Sequence, residues 1–261
     1  MDAPRLFQNV MFYATTPGAA GLFCVIVFML GERRRGQLIF LSLSTAVSTN
    51  LLLKNLFRVP RPWLMHVENA PYLAEGGYAL PCEHTQLTAA LLCAFALTSD
   101  KKPVRFLCAL AIWLTAVVRV LTGLQSILDV LVGGVIGMLI AFVLYRFWCN
   151  TQGKAGVMTW LAVIAFGFAA AILSQDGWGL GSALSAMLLS LPEKAFQKAE
   201  DSRTTFGKIY GTVFAAGIYI GLIIFLPFLV EWLITPLWPG QTLIVLLITL
   251  LPCLPRLCPL F

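Results

Sequence analysis

The sequence predicts an all-α, polytopic membrane protein. Three observations carry that prediction. Of the 261 residues, 59% are hydrophobic and only 11% are charged, whereas ordinary soluble domains carry about 25% charged residues. Apolar runs of about 17 to 25 residues recur along nearly the whole chain, each long enough for a helix to cross a hydrocarbon core about 30 Å thick. Lys and Arg fall in the short stretches between those runs, which is the orientation signal of a membrane protein. The spans are expected to be helices, because an open sheet cannot satisfy its backbone in lipid.

Nine candidate spans follow in order, at 10–31, 37–55, 81–98, 103–121, 126–148, 157–173, 178–191, 209–233 and 240–254. The first is too long for a signal-peptide core and runs into Arg33-Arg34-Arg35 without a cleavage site, so it reads as a retained span. The seventh is short and rich in small residues (Gly179, Gly181, Ser182), and reads as a partial or tilted crossing. No linker, low-complexity tract or internal repeat divides the chain. One membrane domain, 1–261, is expected, with a core at 37–148 and C-terminal helices at 149–261.

Orientation follows from the basic loops. Arg33, Arg34 and Arg35 lie in the first, Lys101, Lys102 and Arg105 in the second, Arg146 and Lys154 in the third, and Lys194, Lys198, Arg203 and Lys208 in the fourth. These loops hold twelve of the 18 basic residues and alternate so that all four fall on the cytoplasmic side. The N-terminus is then outside and, with nine spans, the C-terminus inside. Without the short seventh span, the 192–208 loop would move outside, against the rule. The loop at 58–80 is the longest on the outer side. Pro60, Pro62 and Pro71 stop helix there, Gly76-Gly77 marks a turn, and Trp63 and Tyr72 suit an interfacial depth. It reads as a lid.

The composition also excludes functions. A net charge of +6 invites a nucleic-acid partner, but no basic face or stripe exists, so none is expected. The seven Cys are scattered and mostly intramembrane, with no zinc or disulfide spacing. A metal site from His66, Cys82, Glu83 and His84 finds no support in their spacing, and His66 reads as a loop histidine at the interface.

The polar residues that need an account are Lys54, Arg61, Glu83, His84, Arg119 and Asp129. Most sit at the ends of apolar runs, where such groups must pair, face water or do chemistry. They fall in a frame: Lys54, six residues, Arg61-Pro62; then Pro81-Cys82-Glu83-His84; then Val118-Arg119, five residues, Gln125, three residues, Asp129. The frame resembles the three motifs of the type 2 phosphatidic acid phosphatase superfamily, which read Lys, six residues, Arg-Pro; Pro-Ser-Gly-His; and Ser-Arg, five residues, His, three residues, Asp. The stretch Leu191-Pro192-Glu193-Lys194-Ala195, with Phe206-Gly207-Lys208 and Gly211, is loosely similar to the region after the core in glucose-6-phosphatase-like members, which also have nine spans and an outside N-terminus.

The resemblance implies a helical core and a metal-free, cofactor-free phosphatase. It assigns phosphate binding to Lys54, Arg61, Cys82, Glu83 and Arg119, acid catalysis to His84, the nucleophile position to Gln125 and its orientation to Asp129. Fixed cations would neutralise the phosphoryl oxygens while a positioned acid and base move protons. The ligand it implies is a lipid or isoprenoid phosphate among the membrane lipids, with a protein partner also open. In a bacterial inner membrane the site would face the periplasm.

Four positions depart from the pattern. Gln125 stands where the superfamily has its nucleophilic His, and an amide nitrogen is not a nucleophile. Loss of a nucleophile costs on the order of 10⁶ in kcat in a well-studied hydrolase. Val118 and Cys82 replace Ser. Glu83 replaces Gly, and a carboxylate about 4 Å from a phosphate charge repels it by about 4 kcal/mol at an effective dielectric of about 20. Glu83 is therefore expected to pair with Lys54, Arg61 or Arg119. Cys82 is a second, weaker candidate nucleophile. Arg119 with Asp129 could equally be an intramembrane ion pair that only fixes packing. Three functions follow: a degenerate member that binds a lipid phosphate or a partner without efficient hydrolysis, an active phosphatase with altered chemistry, or a lipid carrier or flippase on the same core.

Overall fold

A computed structural model describes residues 17–30, 33–65, 77–150, 154–174 and 213. Among these the chain is all-helical. Helix α1 spans Pro17–Leu30, α2 spans Arg33–Phe57, α3 spans Glu83–Leu97, α4 spans Lys102–Leu121, α5 spans Ile127–Asn150 and α6 spans Lys154–Ser174. The expected spans at 37–55, 81–98, 103–121, 126–148 and 157–173 each correspond to one of these helices. The spans at 178–191, 209–233 and 240–254, the loop at 192–208 and residues 66–76 with His66 lie outside the described residues, so the count of nine rests on sequence.

Among the described residues, three segments are long and apolar enough to cross a membrane: Arg35–Leu64, Lys102–Leu121 and Ile127–Phe147. Helix α3, at 15 residues, rises about 22 Å and is shorter than a simple crossing. Its position explains its length and composition. It packs against α5, α2, α4 and α1, and His84, Thr85, Gln86, Leu87, Ala89, Ala90, Leu91 and Ala94 are all buried. A helix covered on nearly every side has no need of an amphipathic pattern.

Helices α3 and α5 meet backbone to backbone, and glycine makes that possible. A Cβ at Gly133 would stand 2.6 Å from the carbonyl oxygen of Cys82. One at Gly137 would collide with the carbonyl oxygen of Gln86 and stand 2.8 Å from Ala89 Cβ. The Gly133-x-x-x-Gly137 spacing thus lets two backbones meet, as small residues do at helix contacts in lipid. Leu38, Ile39, Leu41, Ala46, Leu87, Ala90, Leu91, Ala141 and Leu144 fill the core beside it. The outer faces of α4 and α5 are apolar and exposed: Phe106, Leu107 and Trp113 on one, Leu128, Leu131, Val135, Leu139 and Phe142 on the other. On α5 these recur every three to four residues, opposite the glycines, which is the pattern of a helix with one face on protein and one in lipid.

In the loop after α2, the structure corrects one expectation. Pro62 was expected to stop helix, but it opens a short 3-10 helix, Pro62–Met65, in the first-turn position where a missing N–H costs nothing. Helix α2 ends at Phe57, and the next residue, Arg58, caps it: its φ of 49° is left-handed and its N–H donates to the Lys54 carbonyl at 3.0 Å, a position usually taken by Gly.

The glycine contact yields a paired prediction. Gly137→Ala is expected to destabilise the protein by about 1–3 kcal/mol, because the added methyl meets backbone. Gly134→Ala, whose Cβ would meet Thr85 Cγ2 at an ordinary 3.6 Å, is expected to leave stability unchanged or raise it through helix propensity. Thermal unfolding of both variants in detergent measures the difference.

Candidate functional site

Four helix ends meet on one side of the bundle: the C-termini of α2 and α4 and the N-termini of α3 and α5. Two short links fix their register. The Ala79 N–H donates to the Val59 carbonyl at 2.8 Å, and the Cys82 N–H donates to the Asp129 carbonyl at 3.0 Å. The eight residues singled out in sequence all lie on these ends or in the turns between them. The basic stretches at 33–35, at 101–105 and at Arg146 with Lys154 lie at the opposite helix ends.

Lys54, in the last turn of α2, and Glu83, the first residue of α3, form an ion pair with Nζ and Oε2 2.8 Å apart. Lys54 is one of the three cations expected to pair with Glu83. Each charge also suits its own helix end, a cation near a C-terminus and an anion at an N-terminus. The side chains are 12% and 33% exposed, with Glu83 the outer member. His84 follows in the same turn and is buried.

Gln125 is the hub of a second group. Of its two amide orientations, the one that satisfies every neighbour places Oε1 2.9 Å from Arg61 Nη1. In that orientation Nε2 donates to the Ala79 carbonyl at 3.0 Å and to Asp129 Oδ2 at 3.2 Å. Arg61, only 3% exposed, also donates through Nε to the Gly77 carbonyl at 3.2 Å. One side chain therefore joins the loop after α2, the segment before α3 and the first turn of α5.

Gln125 reaches Asp129 from outside the helix, since α5 begins at Ile127 and Gln125 lies in the preceding turn. That turn is built by local chemistry. Gly123, at φ 70°, reverses the chain after α4, where a residue with a Cβ would be strained. The Thr122 hydroxyl donates to the Val118 carbonyl at 2.7 Å, and the Gln125 N–H donates to the Arg119 carbonyl at 3.3 Å. Ser126 then caps α5: the Asp129 N–H donates to Ser126 Oγ at 3.2 Å, and the Ser126 N–H to Asp129 Oδ2 at 2.8 Å. This reciprocal arrangement is a capping box, so Asp129 holds its own helix as well as Gln125.

Cys82 and Arg119 sit deepest. Cys82 is fully buried, and its Sγ accepts a hydrogen bond from the Thr85 hydroxyl at 3.3 Å. Arg119 is 2% exposed, in the last turn of α4.

Sequence reasoning missed a third polar group just beneath these. Asn50 Nδ2 donates to Gln86 Oε1 at 2.8 Å and to the Pro81 carbonyl at 3.2 Å. Gln86 Nε2 donates to the Ala46 carbonyl at 3.2 Å. Both side chains are buried and tie α2 to α3. The signal was present, since Asn50 and Gln86 are polar residues inside apolar runs. Ser126-x-x-Asp129 and Gly133-x-x-x-Gly137 were likewise legible.

Removing the Gln125 hub should be felt in stability. Gln125→Leu leaves Arg61 Nη1, the Ala79 carbonyl and Asp129 Oδ2 each one partner short, and a buried group so deprived costs about 1–3 kcal/mol. A lowered unfolding midpoint in detergent is expected, whereas Leu128→Ala on the outward face of α5 should change it little.

A family model described as the PAP2 superfamily matches residues 35–152. Comparisons with curated proteins and with solved structures returned no match. The matched segment holds all three motifs and the four helix ends. The chain is an integral membrane protein whose residues 35–152 are similar to the PAP2 superfamily.

Proposed function

We propose that this protein binds a lipid phosphate through the cluster at the four helix ends and does not hydrolyse it efficiently. The observation that carries this reading is the state of Gln125. It occupies the nucleophile position of the superfamily pattern, and both ends of its amide are engaged, the oxygen by Arg61 and the nitrogen by Asp129 and Ala79. An amide cannot form the phosphoenzyme that an imidazole forms. The remaining residues keep a binding role. Lys54, Arg61 and Arg119 supply positive charge, with the arginines able to hold two phosphate oxygens each. Cys82 and Glu83 line the same turn, and His84 is the proton donor of the pattern.

The buried Cys82 thiol, already the acceptor of a hydrogen bond from Thr85, argues against a thiol nucleophile, which needs access. The topology proposed with this function is nine spans in one domain. The cluster faces outward, and the basic loops and helix ends face the cytoplasm.

Phosphate release in detergent tests the activity. Negligible hydrolysis of phosphatidic acid and isoprenoid pyrophosphate is expected from the parent protein. Gln125→His alone should restore little, because Glu83 still opposes the phosphate. Gln125→His with Cys82→Ser and Glu83→Gly should yield measurable turnover. Robust parental turnover that survives Gln125→Ala would overturn the reading, and a folded but inactive triple variant would point to a role without phosphate binding.

Topology has a separate check. Single cysteines introduced into 99–105 and into 58–80 should label from opposite sides of sealed vesicles. Labelling of both from one side would sink the proposed orientation.

A further inference from the structure

The charges of the cluster are ordered by depth. Glu83 is outermost at 33% exposure, and Lys54, its partner, lies behind it at 12%. Arg61 and Arg119 are buried beneath. Glu83 is the more exposed member of the pair, so its carboxylate keeps an edge toward the surface while Lys54 holds its Oε2. A ligand entering from the surface meets an anion first and cations after it. Gln125 is uncharged, so its bond to Arg61 leaves the guanidinium charge in place.

We infer that the site takes a zwitterionic phosphodiester, with the phosphate on the inner cations and a primary ammonium on Glu83. The inference rests on the binding function proposed above and names its ligand class. A phosphomonoester dianion would be repelled at the entrance by Glu83, whereas an ammonium would be attracted by it. The same chemistry is offered by an ethanolamine phospholipid and by its water-soluble glycerophosphoethanolamine headgroup. Positioning of the phosphate is left to the arginines, whose planar forks suit its oxygens.

Titration calorimetry on the full chain in detergent tests this with four probes: dihexanoyl phosphatidylethanolamine, phosphatidylglycerol and phosphatidic acid, and glycerophosphoethanolamine. Phosphatidylethanolamine should bind about fivefold tighter than phosphatidylglycerol, the advantage of one partly exposed ion pair. Phosphatidic acid should bind no tighter than phosphatidylglycerol. Glu83→Gln should erase the preference for the amine, and Glu83→Asp should keep part of it. Binding of glycerophosphoethanolamine as tight as that of the lipid would support the inference with the headgroup as the ligand; binding of the lipid alone would support it with the lipid as the ligand. Phosphatidic acid or phosphatidylglycerol binding tightest would overturn the inference and leave the binding function standing. So would a preference unchanged in Glu83→Gln. No binding of any probe would overturn both.

Discussion

The close approach of α3 and α5 is the constraint on which the rest of this structure depends. Two glycines one turn apart, Gly133 and Gly137, let the α5 backbone lie against the backbone of Cys82 and Gln86. In lipid, apolar side chains gain little by leaving one apolar surface for another, so such packing and its hydrogen bonds decide which helices pair. The contact sets the height of α3 within the bundle. It places the Cys82 N–H on the Asp129 carbonyl and so brings the second and third motifs to one level. A helix of 15 residues with no lipid-facing stripe of its own is held in place this way.

Around that contact the polar residues divide by depth. Those just beneath the helix ends, Asn50 and Gln86, bond to one another and to the Pro81 and Ala46 carbonyls. An amide in this setting stabilises only when it is satisfied, because an unmet buried donor costs more than a met one contributes. Those at the helix ends carry charge and are paired across elements, Lys54 with Glu83 and Arg61 with the Gln125 oxygen. The helix termini themselves favour this arrangement, since their unsatisfied N–H and C=O groups prefer opposite charges.

Gln125 holds the helix-end cluster together with an uncharged side chain. Its Nε2 donates to Asp129 and its Oε1 accepts from Arg61. An amide can do both at once without a change of protonation. That suits a structural hub.

Much of this was legible in the sequence. The helical class, the described spans to within a few residues and the gathering of basic stretches at one set of helix ends follow from apolar run length and charge placement, which are local properties. The spacing from Lys54 to Asp129 identified the residues that meet at the other ends. Tertiary structure alone decided which of them touch. Glu83 had three cations to choose from, and it meets Lys54 because the last turn of α2 and the first turn of α3 end at the same height. Gln125 reaches Asp129 from the turn before α5, because Gly123 reverses the chain and Ser126 caps the helix one residue later. Pairing depends on distances between segments far apart in the chain, and helix contact sets those distances. Composition and periodicity could therefore name the participants, and only the packed backbones could choose their partners.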